Sequence, residues 1–155
     1  MSSVFSPDTP NDLLDCIKMA CGQGEKFEIR GQGSKRGWGR PIHNCRILDL
    51  GKLSGISLYE PKELVLSAAA GTTMKSIVET LRDNDQYLAF EPPKLSSLYD
   101  GSDKCGTLGG VIATNLSGPR RLSAGAARDH LLGFEAVSGA GEYFKSGGRV
   151  VKNVT

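Results

Sequence analysis

The sequence predicts an α+β fold with two small lobes. Three observations carry that expectation. Segments with helical and strand periodicity follow one another in mixed order rather than as a regular strand–helix–strand array. The 20 glycines outnumber the 7 prolines and gather at 31–39, 106–110, 139–141 and 147–148, which marks a few loops of special backbone geometry rather than a repeat. The chain of 155 residues is long enough for one domain with a real core.

The elements read in order as follows. Residues 9–22 form a helix, with Thr9 as its cap, Pro10 at its first position, Asp12 in its first turn and Leu13, Leu14, Ile17 and Cys21 on one face. "KFEIRG" (26–31) alternates as a short strand. "RILDL" (46–50) and "ISLYE" (56–60) read as strands across a glycine-containing turn, and "ELVLSAAAG" (63–71) as a buried strand. Thr72 or Thr73 opens a second helix with Met74, Ile77, Val78 and Leu81 spaced as an apolar stripe. "QYLAFEPP" (86–93) reads as a strand stopped by two prolines, and 94–106 as a polar, turn-rich stretch. A third helix starts near Thr107–Gly110 and is ended by Asn115, Gly118 and Pro119. Residues 129–147 read as a hairpin around "GAG", with Glu135, Val137 and Phe144 in loose alternation.

Composition narrows the function. Hydrophobic residues make up 39%, charged residues 23%, and the net charge is +2 without a long run of one sign. No nucleic-acid arm and no polybasic membrane patch is expected. No apolar run reaches the length of a membrane helix and no secretory signal opens the chain, so a cytoplasmic location is expected. Cys16, Cys21, Cys45 and Cys105 form no C-x-x-C pair, and there are two histidines, His43 and His130. Free thiols are expected, and no metal site.

Two glycine segments carry the chemistry. "IRGQGSKRGWGRP" (29–41) follows a strand. It is neither a dinucleotide fingerprint, since the third glycine position holds Arg36, nor a Walker A loop. A Gly31-Gln32-Gly33-Ser34-Lys35 turn offers successive N–H groups, a hydroxyl and a cation to an anion; a plain turn with solvated basic neighbours uses the same residues. "GTLGGVIATNLSGPRR" (106–121) places Gly109 and Gly110 at a helix start. Free N–H groups there suit a phosphate, and the glycines let a ligand touch main chain; close packing through small residues is the alternative. Arg120, Arg121 and Arg128 are candidate neutralising cations, and Asp129 is expected to pair with Arg128 or a neighbour. His43 and His130 read as structural and Cys105 as a small buried residue. No acid–base set is evident, which fits a protein whose chemistry is carried by a cofactor.

"FEPPK", "TLGGVIATNLSGPRR", "ARDHLLGFEAVSGAGE" and "GGRVVKNVT" together resemble the flavin domains of the vanillyl-alcohol oxidase and p-cresol methylhydroxylase (PCMH) type, in particular those of bacterial glycolate oxidase flavin subunits of the E type. The likeness runs in order from about Gln23 to Thr155. It implies a two-lobed PCMH-type FAD-binding domain over 1–155, with lobes at about 1–70 and 71–155. It implies FAD wrapped by Gly31, Gln32, Gly33, Ser34 and Lys35 and bordered by Thr107, Gly109, Gly110, Asn115 and Gly118. Some relatives attach FAD through a histidine in the first glycine loop; this loop has none, so FAD is expected to be non-covalent. Relatives continue beyond "KNVT" into more of the flavin domain and a cap domain, so a truncated domain is expected here. The resemblance further implies oxidation of a 2-hydroxy acid, glycolate to glyoxylate. The implied partners are a second flavin subunit and an iron–sulfur subunit of glycolate oxidase, with a peripheral position at the inner membrane through them. A non-catalytic flavin or electron-relay subunit and a non-redox nucleotide-binding domain are the alternatives.

Overall fold

The computed structural model describes residues 4–40, 43–99 and 101–148. Asp100, the end of the first glycine loop at Pro41, and the "RVVKNVT" part of the last matched stretch lie outside the described residues.

Strand β1 (Val4–Phe5) leads into helix α1 (Pro10–Gln23). The helix forms where expected because its start is doubly closed. Thr9 Oγ1 accepts from the Asp12 N–H at 3.1 Å and the Asp12 carboxylate accepts from the Thr9 N–H at 2.9 Å. Gly24 ends it in the left-handed region, φ 64°. The chain returns as β2 (Phe27–Arg30) and then, after the first glycine loop, as β3 (Arg46–Asp49). These strands form a parallel sheet in the order β1-β3-β2, with Ile29 opposite Leu48. Leu48 is fully buried, and Phe5 meets Phe27 edge to face at 5.5 Å.

β4 (Ile56–Glu60) pairs antiparallel with β5 (Val65–Ala68) in a separate sheet. The expected pairing of the 46–50 and 56–60 strands across their turn is therefore corrected. β3 is already flanked on both edges, by β1 and β2, and has no free edge for β4.

Helix α2 (Met74–Arg82) starts at Thr73, whose hydroxyl accepts from the Ser76 N–H at 3.1 Å. Met74, Ile77 and Leu81 join Phe90, Val111 and Ala127 in the main core. Burial of each large aliphatic contributes about 1.5–3 kcal/mol. Val78, expected on this stripe, is 42% exposed; with the stripe already filled by its i−1, i+3 and i−4 neighbours, the helix turns it outward. The expected strand at 86–93 does not form. Leu88 and Phe90 do pack inward, but the stretch meets no strand edge. Its Gln86 N–H donates back to Leu81 O and its Glu91 N–H to Ser117 O, neither of them in a strand, and Pro92 and Pro93 remove two further donors.

A short helix α3 (Ser96–Tyr99) interrupts the polar stretch, and α4 (Leu108–Thr114) follows with Thr107 as its cap residue. Asn115 closes α4 in the left-handed region, φ 51°, as expected of a residue that tolerates it. α5 (Arg121–Ala124) and a 3₁₀ turn (Ala127–His130) lead to the expected hairpin of β6 (Gly133–Val137) and β7 (Tyr143–Gly147). The fold is thus a mixture of helices and small sheets, and no described helix is long and apolar enough to cross a membrane.

Candidate functional site

The first glycine loop leaves the carboxyl end of β2, where open parallel sheets present their ligand crevices. Gly33 takes φ 71°, and the turn is closed by Arg36 N–H to Gly33 O at 3.2 Å and Trp38 N–H to Lys35 O at 3.0 Å. The N–H groups of Gln32, Gly33, Ser34 and Lys35 make no hydrogen bond among the described residues. Four successive unspent donors on a turn form a concavity for an anion. Arg36, which also borders the groove, is engaged by Glu28 in a bidentate pair, at 2.6 and 3.1 Å.

Two side chains complete the donor set. Ser34 is buried to all but 9%, and its hydroxyl has no partner among the described residues. Lys35 has no carboxylate partner there either, and burial pushes its ammonium below the usual lysine range, with the neighbouring Cys105 side chain opposing that shift. A half-buried, unpaired cation is costly, and an anion beside it would relieve that cost. The groove beside the loop holds about 560 Å³ and is bordered by Arg30, Gln32, Ser34 and Asp49; Arg30 is held there by Asp49 at 3.3 Å.

The second segment comes to meet this loop. A β-carbon on Gly106 would stand 3.0 Å from Ser34 Oγ and 3.2 Å from Lys35 Nζ. One on Gly110 would stand 3.4 Å from Thr107 Oγ1 and 3.5 Å from Lys35 Nζ. Thr107 itself is buried against Gly31. The structure thus brings Gly31, Gln32, Gly33, Ser34, Lys35, Thr107 and Gly110 into one cluster.

Three expected site residues do other work in this structure. The N–H groups at the start of α4 are not all free: Leu108 donates to Thr72 O and Gly109 to Ala70 O, both at 2.9 Å. A β-carbon on Gly109 would lie 2.8 Å from the Ala70 β-carbon, so this glycine permits close packing on the β5–α2 junction. Asn115 and Gly118 lie at the far end of α4. Asn115 Oδ1 accepts from the Arg128 N–H at 3.0 Å, and Gly118 abuts the Glu91 carbonyl so closely that a β-carbon there would overlap it. Of the candidate cations, Arg120 lies over the Tyr87 ring at 5.3 Å and Arg128 pairs with Asp129 at 3.6 Å. Asp129 also accepts from the Ala126 N–H at 2.8 Å, a structural role. His130 is exposed, with its ring 2.8 Å from Ala124 O and tilted against Phe90; His43 is exposed. Cys105 is half-buried rather than buried, and its sulfur accepts from the Lys75 N–H of α2 at 3.2 Å.

The unspent N–H groups at 32–35 and the Lys35 ammonium give the cluster a surplus of donors, which suits a diphosphate. A model of a family described as an FAD binding domain matches residues 1–147. The chain belongs to that family. FAD is the cofactor of this FAD-binding domain, and the unspent N–H groups with Ser34 and Lys35 fit its anionic part. The domain is 37% identical to glycolate oxidase subunit GlcE of Escherichia coli, over 95% of this chain and 40% of that protein. It is 38% identical to glycolate oxidase subunit GlcD of Bacillus subtilis, over 98% of this chain and 31% of that one. A D-lactate dehydrogenase of Archaeoglobus fulgidus is 27% identical over 97% of this chain. The chain therefore spans between 31% and 40% of the length of these curated relatives. Among solved structures, an alkyldihydroxyacetonephosphate synthase superposes with a TM-score of 0.67 over 94% of this chain and 26% of that one, at 15% identity, a likeness of fold.

Proposed function

We propose that this domain binds FAD non-covalently as part of a glycolate oxidase flavin subunit that oxidises a 2-hydroxy acid to the 2-oxo acid. The likeness to GlcE along nearly the whole chain is the observation that carries the reading, and the donor cluster agrees with it. In this reading the diphosphate lies against the N–H groups of Gln32, Gly33, Ser34 and Lys35. Ser34 Oγ donates to it and the Lys35 ammonium neutralises it. Gly110, with Thr107 behind it, lets the cofactor lie along α4, while Gly31, Gly109, Asn115 and Gly118 set the backbone that borders it. The segments to either side of residue 70 act as the two lobes. Bound FAD supplies the acceptor for the hydride removed from the hydroxy acid; the residues described here hold and orient it.

The partners in this reading are a second flavin subunit, such as a GlcD-type chain, and an iron–sulfur subunit, with any contact to the membrane made through them. The test is to purify the chain from its own cells with whatever accompanies it, and add glycolate without oxygen. Loss of the flavin absorption on adding glycolate supports the reading. Flavin that dithionite bleaches and neither glycolate nor D-lactate bleaches overturns the 2-hydroxy-acid assignment.

A further inference from the structure

We infer that Gln32 is a positioning residue, a latch between the two glycine segments rather than a ligand of the cofactor through its side chain. The inference rests on the FAD reading for its consequence and on geometry alone for its existence. Gln32 Oε1 accepts from the Gly106 N–H at 2.9 Å, across 74 positions of sequence. The Cys105 thiol lies 3.9 Å from the same oxygen. The carbonyl of Gly106 in turn accepts from the Met74 N–H at 3.0 Å, and Cys105 sulfur from the Lys75 N–H. One amide oxygen therefore ties the first glycine loop to the 105–107 turn, and that turn to the start of α2.

Among the described residues, the latch fixes a distance that no other hydrogen bond between the two segments fixes. Gly31 meets Thr107 by steric contact alone, and Ser34 and Lys35 approach Gly106 without bonding to it. Gly106 sits at φ 82°, a conformation in which its N–H is aimed at the first loop. If Gln32 lets go, the Gly106 N–H loses its acceptor, the two donor walls part, and Cys105 is uncovered. Gln32 thus presets the width of the anion site before the cofactor arrives, which raises affinity by lowering the ordering cost of binding.

The test uses Gln32→Met, close in length and without a carbonyl. Cofactor-free parent and variant are treated with iodoacetamide, and alkylation at Cys105 is followed by mass spectrometry against exposed Cys21 as the internal standard. The Cys105-to-Cys21 rate ratio should rise roughly fivefold to tenfold in the variant, the scale of one net hydrogen bond, with circular dichroism unchanged. FAD affinity should fall by a similar factor. An unchanged ratio overturns the latch. Lower FAD affinity with an unchanged ratio also overturns it, because Gln32 then contacts the cofactor itself. If the parent binds no FAD, the functional reading fails, and the alkylation ratio still decides the latch. Should Gln32→Met not fold, Gln32→Leu serves the same comparison; if neither folds, the residue holds the domain together and the positioning role is rejected.

Discussion

Gly31 and Thr107 touch where the two glycine segments cross: a β-carbon at residue 31 would lie 2.5 Å from the Thr107 methyl and 2.6 Å from its hydroxyl. Thr107 is 4% exposed and bridged to Thr73, so it cannot step aside. The glycine is there because backbone must pass over a buried threonine.

Gly31→Ala should therefore destabilise the domain by about 1–3 kcal/mol, the usual cost of overpacking. In the double variant Gly31→Ala with Thr107→Ala, only the β-carbon contact at 3.1 Å remains. Urea denaturation of the four proteins should show the double variant more stable than the sum of the singles. Strict additivity would mean that the two residues do not share this contact.

The adjacent glycines of α4 should respond oppositely. Gly109→Ala drives a methyl into Ala70 and should cost stability whether or not FAD is present. Gly110→Ala meets only ordinary contacts and should stabilise the cofactor-free domain by up to about 1 kcal/mol, as Ala for Gly does within a helix. It should at the same time weaken FAD binding. Thermal denaturation without FAD, paired with FAD titration, separates the two.

Lys35 gives the pH dependence. Burial lowers its folded-state pKa below the unfolded value, so the unfolded chain binds more protons in the window between the two. Stability of the cofactor-free domain should then rise as pH climbs through that window. FAD affinity should run the other way, since the diphosphate favours the ammonium that high pH removes. Lys35→Met should flatten both trends and weaken FAD binding at neutral pH. FAD dissociation constants for parent and variant from neutral pH to the ordinary lysine range provide the measurement.

Helix α2 carries a simpler prediction. Thr73→Ala removes the hydroxyl that accepts from the Ser76 N–H and should cost about 1 kcal/mol, with FAD affinity preserved once stability is allowed for. Denaturation at fixed pH checks it.

Much of the fold was legible in local chemistry. Thr9 and Asp12 mark the start of α1 through bonds made within a few residues, and "GAG" marks the final hairpin. What was not legible is what depends on neighbours distant in sequence. The pattern at 86–93 alternates as a strand should, yet no free edge waits for it. β3 and β4 look like a hairpin until β1 and β2 are seen to occupy both edges of β3. The first glycine loop read both as an anion site and as a plain turn, and no local pattern chooses between them; the unspent N–H groups at 32–35 are a feature of the folded turn. The division of labour between Gly109 and Gly110, and the Gln32 bond to Gly106, arise from contacts with Ala70, Lys35 and the other loop, which no local pattern encodes.

The most direct test is the visible absorption spectrum of the full chain after incubation with FAD and desalting. Retained flavin bands, lost in Lys35→Met and in Gly110→Val while both stay folded, are the predicted result. A chain that is folded by circular dichroism and emerges colourless would contradict the claim that these two glycine segments form the FAD site.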